Sequence, residues 1–216
     1  MSAHYTENAR QPDSYYRASR RYELSCPALL EDMDADVCVI GGGYTGLSCA
    51  LELANSGCQV ALLEAQQIAW GASGRNGGHV GVGQRRTQEA LQGLYGTEVA
   101  GKLWQCGLDA VDLVKTLITK HQIDCDLQSG ILHVAHKRRY TEALAAEAEY
   151  LQRHHGYREA TAVSEEEVAE LLGSRAFYGG MKDSGSMHLH PLNYALGLAK
   201  AVLDAGVRVF EESPVT

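Results

Sequence analysis

The chain of 216 residues lacks any excess of positive charge: 19 Lys and Arg stand against 27 Asp and Glu, for a formal net charge of −8. Its basic residues fall in pairs or threes, such as Arg85-Arg86 and Lys137-Arg138-Arg139. The concentrated positive surface that a phosphodiester backbone requires is therefore missing, which excludes nucleic acid as a partner. No stretch approaches the ~20 consecutive apolar residues of a membrane helix, so no membrane-spanning role is expected. Met1 to Ser14 is polar and mixed in charge, without the apolar centre of a secretory signal. The six cysteines (Cys26, Cys38, Cys49, Cys58, Cys106, Cys125) contain no C-x-x-C pair. Cys38 and Cys49 lie inside apolar patterns, where cysteine acts as a small hydrophobe. These absences point to a cytoplasmic protein with buried, reduced thiols and no zinc centre. Internal repeats are absent as well. At 45% apolar and 21% charged, the composition is that of a globular domain, which excludes a disordered chain or a disulfide-stapled miniprotein.

What the chain has in quantity is glycine, 23 residues of it, with two tight clusters. Residues 1–35 read as a polar N-terminal arm rich in Tyr and Arg, in which Cys26-Pro27 breaks any helix. From Asp36 the pattern changes. Val37-Cys38-Val39-Ile40 is a continuous apolar run of the kind a parallel strand buried on both faces shows. It runs into Gly41-Gly42-Gly43. Leu47, Ala50, Leu51 and Ala54 then recur at helical spacing, Gly57 closes the helix, and Val60-Ala61-Leu62-Leu63 is a second apolar run ending at Glu64. This is a βαβ unit.

Gly41, Gly43 and Gly46 within it form G-x-G-x-x-G, in the strand–helix–strand context that makes the motif informative. Gly41 permits the sharp turn, Gly43 lets the backbone approach a pyrophosphate, and Gly46 allows the helix to pack on the strand. Phosphates then sit at the helix N-terminus, among Tyr44, Thr45 and their N–H groups. Glu64 follows ~20 residues on, where a carboxylate accepts hydrogen bonds from an adenosine ribose and repels a 2′-phosphate, which disfavours NADP. The second cluster, Gly71-Ala72-Ser73-Gly74-Arg75-Asn76-Gly77-Gly78, stands where a plain NAD domain starts another helix. Four glycines make that costly, at ~1 kcal/mol each in a helix. They suit backbone laid against a planar ligand or further phosphate, with Arg75 and Asn76 supplying charge and amide hydrogen bonds. FAD fits better than NAD.

Further on, helical pattern runs from about 87 to 122, broken near Gly96. Cys125–Leu127 and Ile131–Ala135, separated by Gly130, read as short strands. Helices follow over about 139–155 and, from a Ser164/Glu167 capping box, up to Gly173. Phe177–Met181 reads as a strand. A helix from Pro191 to about Ala205 leads to the strand Val207–Phe210. His188 and His190 stand two apart, as metal ligands on one strand face do, but no third ligand accompanies them and no metal site is assigned.

These segments resemble the glycine/D-amino-acid-oxidase-like FAD-dependent amine oxidases, and among them the bacterial oxidases of gamma-glutamylputrescine and related amines. The likeness rests on Asp36 to Glu64, on Tyr44-Thr45-Gly46-Leu47-Ser48, on the whole GASGRNGG run, on Gln122 to Asp126 and on His188 to Pro191. It implies an α/β fold: a Rossmann-like FAD-binding domain over 36–122 and 187–216, discontinuous and incomplete, with part of an inserted α+β substrate domain over 123–186. It assigns Gly41, Gly43, Tyr44, Thr45 and Gly46 to the FAD pyrophosphate, and Glu64 and Ala65 to the adenosine ribose. Ser73, Gly74, Arg75, Asn76 and Gly77 line the loop toward the flavin, and Val215 meets the adenine. His79 stands where the resemblance leads one to expect Gln. The implied reaction is oxidation of an amine C–N bond to an imine and then an aldehyde, with oxygen as acceptor; no catalytic base is assigned. The resemblance also implies more chain than is present, so the 216 residues read as an N-terminal portion that needs a C-terminal companion polypeptide for a complete site. An NAD-dependent dehydrogenase and a non-catalytic remnant or subunit of a split flavoprotein are the alternatives.

Overall fold

The computed structural model describes residues 13–216; the first twelve residues of the N-terminal arm lie outside the described residues. The chain forms two compact units. The first contains the described residues up to Gly78 together with Thr116–Asp126 and Leu189–Thr216, and the second contains His79–Lys115 and Leu127–His188. The stretch 79–115, expected within the first unit, thus belongs to the second, and the chain is in the first unit again around residue 122, where the sequence placed the boundary. The reason is pairing: the two-residue strand at His79–Val80 joins the sheet of the second unit.

In the first unit, helix α1 (Tyr15–Ala18) is a single turn within the arm, capped by the Ser14 side chain. Strand β1 (Val37–Ile40), helix α2 (Tyr44–Asn55) and strand β2 (Val60–Leu63) are the βαβ unit expected from the apolar runs. Leu47, Ala50 and Leu51 form the buried stripe of α2. Two further elements, helix α6 (Pro191–Asp204) and strand β7 (Arg208–Phe210), return the chain to this unit. The resulting parallel sheet has β2 between β1 and β7, with Val39, Leu62 and Val209 in register and buried. One expectation fails here. β1 is not buried on both faces: as an edge strand it leaves Cys38 exposed and Ile40 67% exposed. Cys49 and Cys106 are exposed as well, so the expectation of buried thiols holds for Cys125 but not for these three.

The second unit is built on an antiparallel sheet. Strand β3 (His79–Val80), strand β4 (Gln128–Val134) and strand β5 (Ala160–Val163) all pair with β6 (Gly180–His188). Helix α3 (Gln88–Lys120) is kinked at Gly96, whose φ of 80° takes it out of helical geometry, as the sequence suggested. Helix α4 (Thr141–His155) ends on left-handed Gly156, and α5 (Glu165–Leu172) starts with the full Ser164/Glu167 capping box. Two strand expectations need correction. Gly130, at φ +95°, does not separate two strands; it sits at the register shift inside one strand, which begins at Gln128 and not at Cys125. The strand expected at Phe177–Met181 instead starts at Gly180 and runs to His188. Its polar interior is tolerated because buried Asp183 accepts hydrogen bonds from Tyr157 Oη–H, Gly185 N–H, Ser186 N–H and the Ser186 hydroxyl. Trp104, Leu151, Tyr157, Ala160 and Met181 form the apolar centre of this unit.

The chain then re-enters the first unit through helix α6 (Pro191–Asp204) and strand β7 (Arg208–Phe210), with Gly206 at φ +85° turning between them. Almost every residue of α6 from Pro191 to Val202 is buried, and α6 packs along α2. Gly197 is required by that burial, since a Cβ there would lie 2.4 Å from Ile123 Cγ2.

Candidate cofactor-binding site

The site begins where β1 turns into α2. Gly41 has φ +102°, a conformation that favours glycine, and a Cβ on it would meet nothing within 4 Å. Gly46 is forced by contact: a Cβ there would lie 1.9 Å from the Gly41 carbonyl oxygen and 3.4 Å from Val39 Cγ1. The helix therefore rests directly on the turn. Its N-cap is Gly43, which has no side chain to satisfy the first-turn N–H groups. By contrast α5 and α6 are capped by Ser164 and His190. At α2 only the Tyr44 N–H is taken, by Ser73 Oγ at 3.0 Å. Thr45, the next residue, is exposed. The end of α2 thus presents unsatisfied N–H groups and the positive pole of the helix dipole, the combination that binds phosphate.

Ser73 also lies close to Gly43, where a Cβ would stand 2.9 Å from Ser73 Oγ. The second glycine loop thus rests beside the position that the sequence assigned to ligand approach. The two clusters are therefore in contact. Within the second, Ala72–Gly74 forms a single 3-10 turn. Gly74 is buried, and a Cβ on it would strike the Ala69 carbonyl oxygen at 2.2 Å; one on Gly78 would strike that of Leu189 at 2.0 Å. These two glycines serve the packing of the loop, whereas Gly71 and Gly77 are exposed with open space before them.

Asn76 does not offer its amide outward. Its Nδ2 donates to Ala72 O, Ser73 O and Tyr44 Oη, and its Oδ1 accepts from Gly78 N–H. The Tyr44 phenol, pushed up to about 12 chiefly by burial, stays protonated and donates to Pro191 O. Its side chain thus ties the loop to α6, and only its backbone stays near the helix terminus. Arg75 is exposed, with its guanidinium carbon 4.2 Å from the centroid of the Trp70 ring, so its charge is held over the surface by a cation–π contact.

Glu64 ends β2 beside the turn. One carboxylate oxygen accepts from Gly42 N–H at 2.7 Å and the other from Gln66 N–H at 2.9 Å. Each oxygen keeps a lone pair, so the carboxylate is oriented and still able to accept from a ribose diol. Ala65 follows, half-buried, with no contact that singles it out. Ser213 N–H donates to Glu64 O, which brings the segment after β7 alongside; Val215, two residues later, is exposed.

Two participants escaped the sequence reading. Gly42 is as constrained as its neighbours, since a Cβ there would lie 2.4 Å from Ile68 Cδ1 and 3.3 Å from Glu64 Cβ. The run of three glycines was the available signal. Glu211 is buried and accepts from the Cys26 and Ile68 N–H groups, fixing the arm and the segment after β2; nothing in its sequence context announces that. His188 and His190, the histidine pair of the sequence, serve different ends. His188 lies in β6 with Nδ1 at 3.1 Å from Gly130 O. Buried His190 caps α6: Nδ1 accepts from Asn193 N–H and Nε2 pairs with Ser19 Oγ. Burial pulls its pKa below the ordinary imidazole value. In the second unit, His79 lines a recess of about 220 Å³ with Trp104, His133 and Glu147. Burial raises the Glu147 carboxyl above its ordinary range, against the opposing pull of His133.

Residues 36–216, which span every element of this site, match the family described as "DAO: FAD dependent oxidoreductase". The chain belongs to this family. Among curated relatives of this DAO-family chain, the probable oxidoreductase OrdL of Haemophilus influenzae is 40% identical over 211 residues, which is 98% of this chain and 48% of that protein. The gamma-glutamylputrescine oxidoreductase of Escherichia coli is 37% identical over 203 residues, 94% of this chain and 47% of its own length. The chain therefore spans about half the length of these relatives. Among solved structures, an L-amino acid deaminase from Proteus myxofaciens superposes with a TM-score of 0.69 at 18% identity, over 89% of this chain and 42% of that one. A glycine oxidase from Geobacillus kaustophilus gives 0.65 at 23% identity, over 82% and 46%. The fold is that of the FAD-dependent oxidases, and FAD is the cofactor of the family. The residues present fit it: an uncapped helix terminus beside a left-handed glycine, an oriented carboxylate, and a second loop touching the first.

Proposed function

We propose that this chain supplies the nucleotide-binding part of an FAD-dependent amine oxidase acting on a gamma-glutamylputrescine-like amine or amino acid, with oxygen as electron acceptor. The observation that carries it is the Ser73–Tyr44 contact, which sets the GASGRNGG loop against the uncapped end of α2. A single βαβ unit serves any dinucleotide, whereas a second glycine loop against the first favours the longer flavin nucleotide over NAD. The substrate class is supported by the 37% identity to the E. coli gamma-glutamylputrescine oxidoreductase. In this reading bound FAD would supply two-electron acceptance at the carbon beside the amine nitrogen, so that the amine would become an imine and, with water, an aldehyde. The chain's own residues would hold and orient it: the α2 terminus the pyrophosphate, Glu64 and Ala65 the adenosine ribose, Ser73–Gly77 the reach toward the flavin, and Val215 the adenine. The polypeptide counterpart of the half not spanned here completes the site.

Two measurements test this. Titration of the purified chain with FAD and with NAD⁺, followed by tryptophan fluorescence, is expected to show the stronger response to FAD, since Trp70 lies beside the loop. The chain co-expressed with the uncovered half of the E. coli relative is expected to carry flavin, to bleach with gamma-glutamylputrescine in the absence of oxygen, and to release peroxide in its presence. Preference for NAD⁺, or flavin reduction by NADH and not by amines, refutes the reading.

A further inference from the structure

The packed face of α4 carries one residue of the wrong type for its place. Leu144, Ala148 and Leu151 recur at helical spacing and turn toward the apolar centre of the second unit. Glu147 stands three residues after Leu144 and four before Leu151, on the same face, and is half-buried. Among the described residues no donor hydrogen-bonds its carboxyl, which burial raises above its ordinary range. An acid in that setting costs stability unless something donates to it.

Glu147 lines the recess of about 220 Å³ between the sheet and helices α3 and α4, formed by residues of the second unit alone. Trp104, Ile131, Leu144, Leu151 and Met181 give it apolar walls. Gln88, only 4% exposed, lines it too. The Gln88 amide nitrogen donates across the Gly96 kink to Ala100 O, and its Oε1 is buried without a partner. The other buried polar side chains of the recess are matched. Asp183 takes four donors, and Ser186 Oγ accepts from Val82 N–H while donating to Asp183. Arg86, His79 and His133 stand exposed at the rim. The unmet groups are thus the Glu147 carboxyl and Gln88 Oε1, both acceptors, within an apolar lining.

From this arrangement we propose that the recess binds a primary alkylammonium ion, whose N–H groups meet Glu147 and Gln88 Oε1 and whose methylenes lie along Trp104 and Met181. An ammonium has three donors and no acceptor, so it can serve both oxygens and leave nothing of its own unpaired. Its charge also favours the ionised carboxylate. An anion would bring acceptors to acceptors, and an alcohol has a single donor. The space suffices, since an apolar cavity of ~150 Å³ takes up benzene. The recess lies within one unit, so the inference goes beyond the proposed cofactor role and does not depend on it.

Trp104 reports on the recess, and Trp70→Phe leaves it the only tryptophan. In that background the full chain is titrated with n-butylammonium chloride, n-butanol and sodium butyrate, with no flavin added. A saturable fluorescence change is expected for the ammonium alone, half-complete on the order of 1 mM, the scale for a ligand of this size. Glu147→Gln, which keeps the shape of the side chain, is expected to weaken it about tenfold, the worth of one charge-assisted hydrogen bond. Glu149→Gln, at an exposed acid of the same helix paired with Arg153, leaves it unaltered. An arm without the Glu147 variant uses the unsubstituted chain, whose urea midpoint n-butylammonium chloride raises and sodium chloride at equal ionic strength does not. Equal responses to the three probes, no saturable response to the ammonium, binding indifferent to Glu147→Gln, or a midpoint shift matched by sodium chloride overturns the inference. A chain that takes the ammonium and ignores FAD leaves the recess standing and sinks the functional reading. One that takes FAD and no ammonium does the reverse.

Discussion

Gly46→Ala places a methyl group where the structure has 1.9 Å to the Gly41 carbonyl oxygen and 3.1 Å to its carbonyl carbon. A methyl-to-oxygen contact needs a little over 3 Å, so α2 must move off the turn by about 1 Å or the Gly41 peptide must rotate. Neither neighbour is a side chain that can swing aside. In a free helix the same change stabilises by about 1 kcal/mol, because alanine is the better helix former. With two rigid backbone atoms as the partners, overpacking falls in the upper part of its usual range, about 2–3 kcal/mol, so the net expectation is a loss of about 1–2 kcal/mol. With a urea slope of about 2 kcal/mol per molar, the unfolding midpoint of the first unit falls by roughly 0.5–1 M. The assay is urea unfolding followed by circular dichroism, with no cofactor added, because the clash is with protein. Gly101→Ala is the control: that glycine lies in α3 with nothing within 4 Å of its Cβ position, and alanine there is expected to raise stability by about 0.5–1 kcal/mol. A Gly46→Ala chain as stable as the parent would show that α2 does not seat on the turn, and the description of the phosphate site would fall with it.

Two further outcomes follow from the same unit. His190 has its folded pKa below the unfolded value, because burial penalises the imidazolium and Nδ1 must stay unprotonated to accept from Asn193 N–H. Its contribution is therefore fully present above the unfolded value near 6.5 and is lost as pH falls through the depressed folded value. Urea midpoints measured from pH 7 down to 5 should decline less steeply in His190→Asn, which keeps an N-cap acceptor without a titrating group; equal slopes would exclude the histidine as the cause. Asn76→Ala removes the four contacts that hold the second glycine loop, and hydrogen exchange of residues 71–78 is expected to speed at least tenfold, with the α4 amides unaffected. Unchanged loop exchange would mean that the loop is ordered by something else.

The first unit was largely legible in the sequence because its signals are local and reinforce one another. Four apolar residues, a glycine turn and a helical stripe allow few readings, and the expected β1, α2 and β2 coincide with the observed elements. The exposed side of β1 was not legible, because apolar character alone does not reveal which neighbours a strand has. In the second unit, β6 was shortened to its apolar start since Asp183, Ser184 and Ser186 argue against a strand until their hydrogen bonds are seen. β3, at two residues, offers no period at all, and with it went the point at which the chain crosses between units. For the site, the residue types were readable and their division of labour was not. Glycines at 74 and 78 looked alike with those at 41, 71 and 77, yet the first two accommodate backbone atoms and the last three have open space at their Cβ positions. Asn76 read as a lining residue of the loop, and its part as a brace showed only in the hydrogen bonds.

That brace has an energetic consequence for capture of a dinucleotide. Fixing one residue of flexible backbone costs roughly 1–2 kcal/mol, and glycines, with the widest freedom in the unfolded chain, stand at the high end. A loose eight-residue segment would charge that ordering against every binding event. With one amide clamping both ends of the turn and Tyr44 bridging it to α6, the ordering is met during folding, so affinity at this loop reflects its contacts with the arriving ligand and not the work of shaping itself around one.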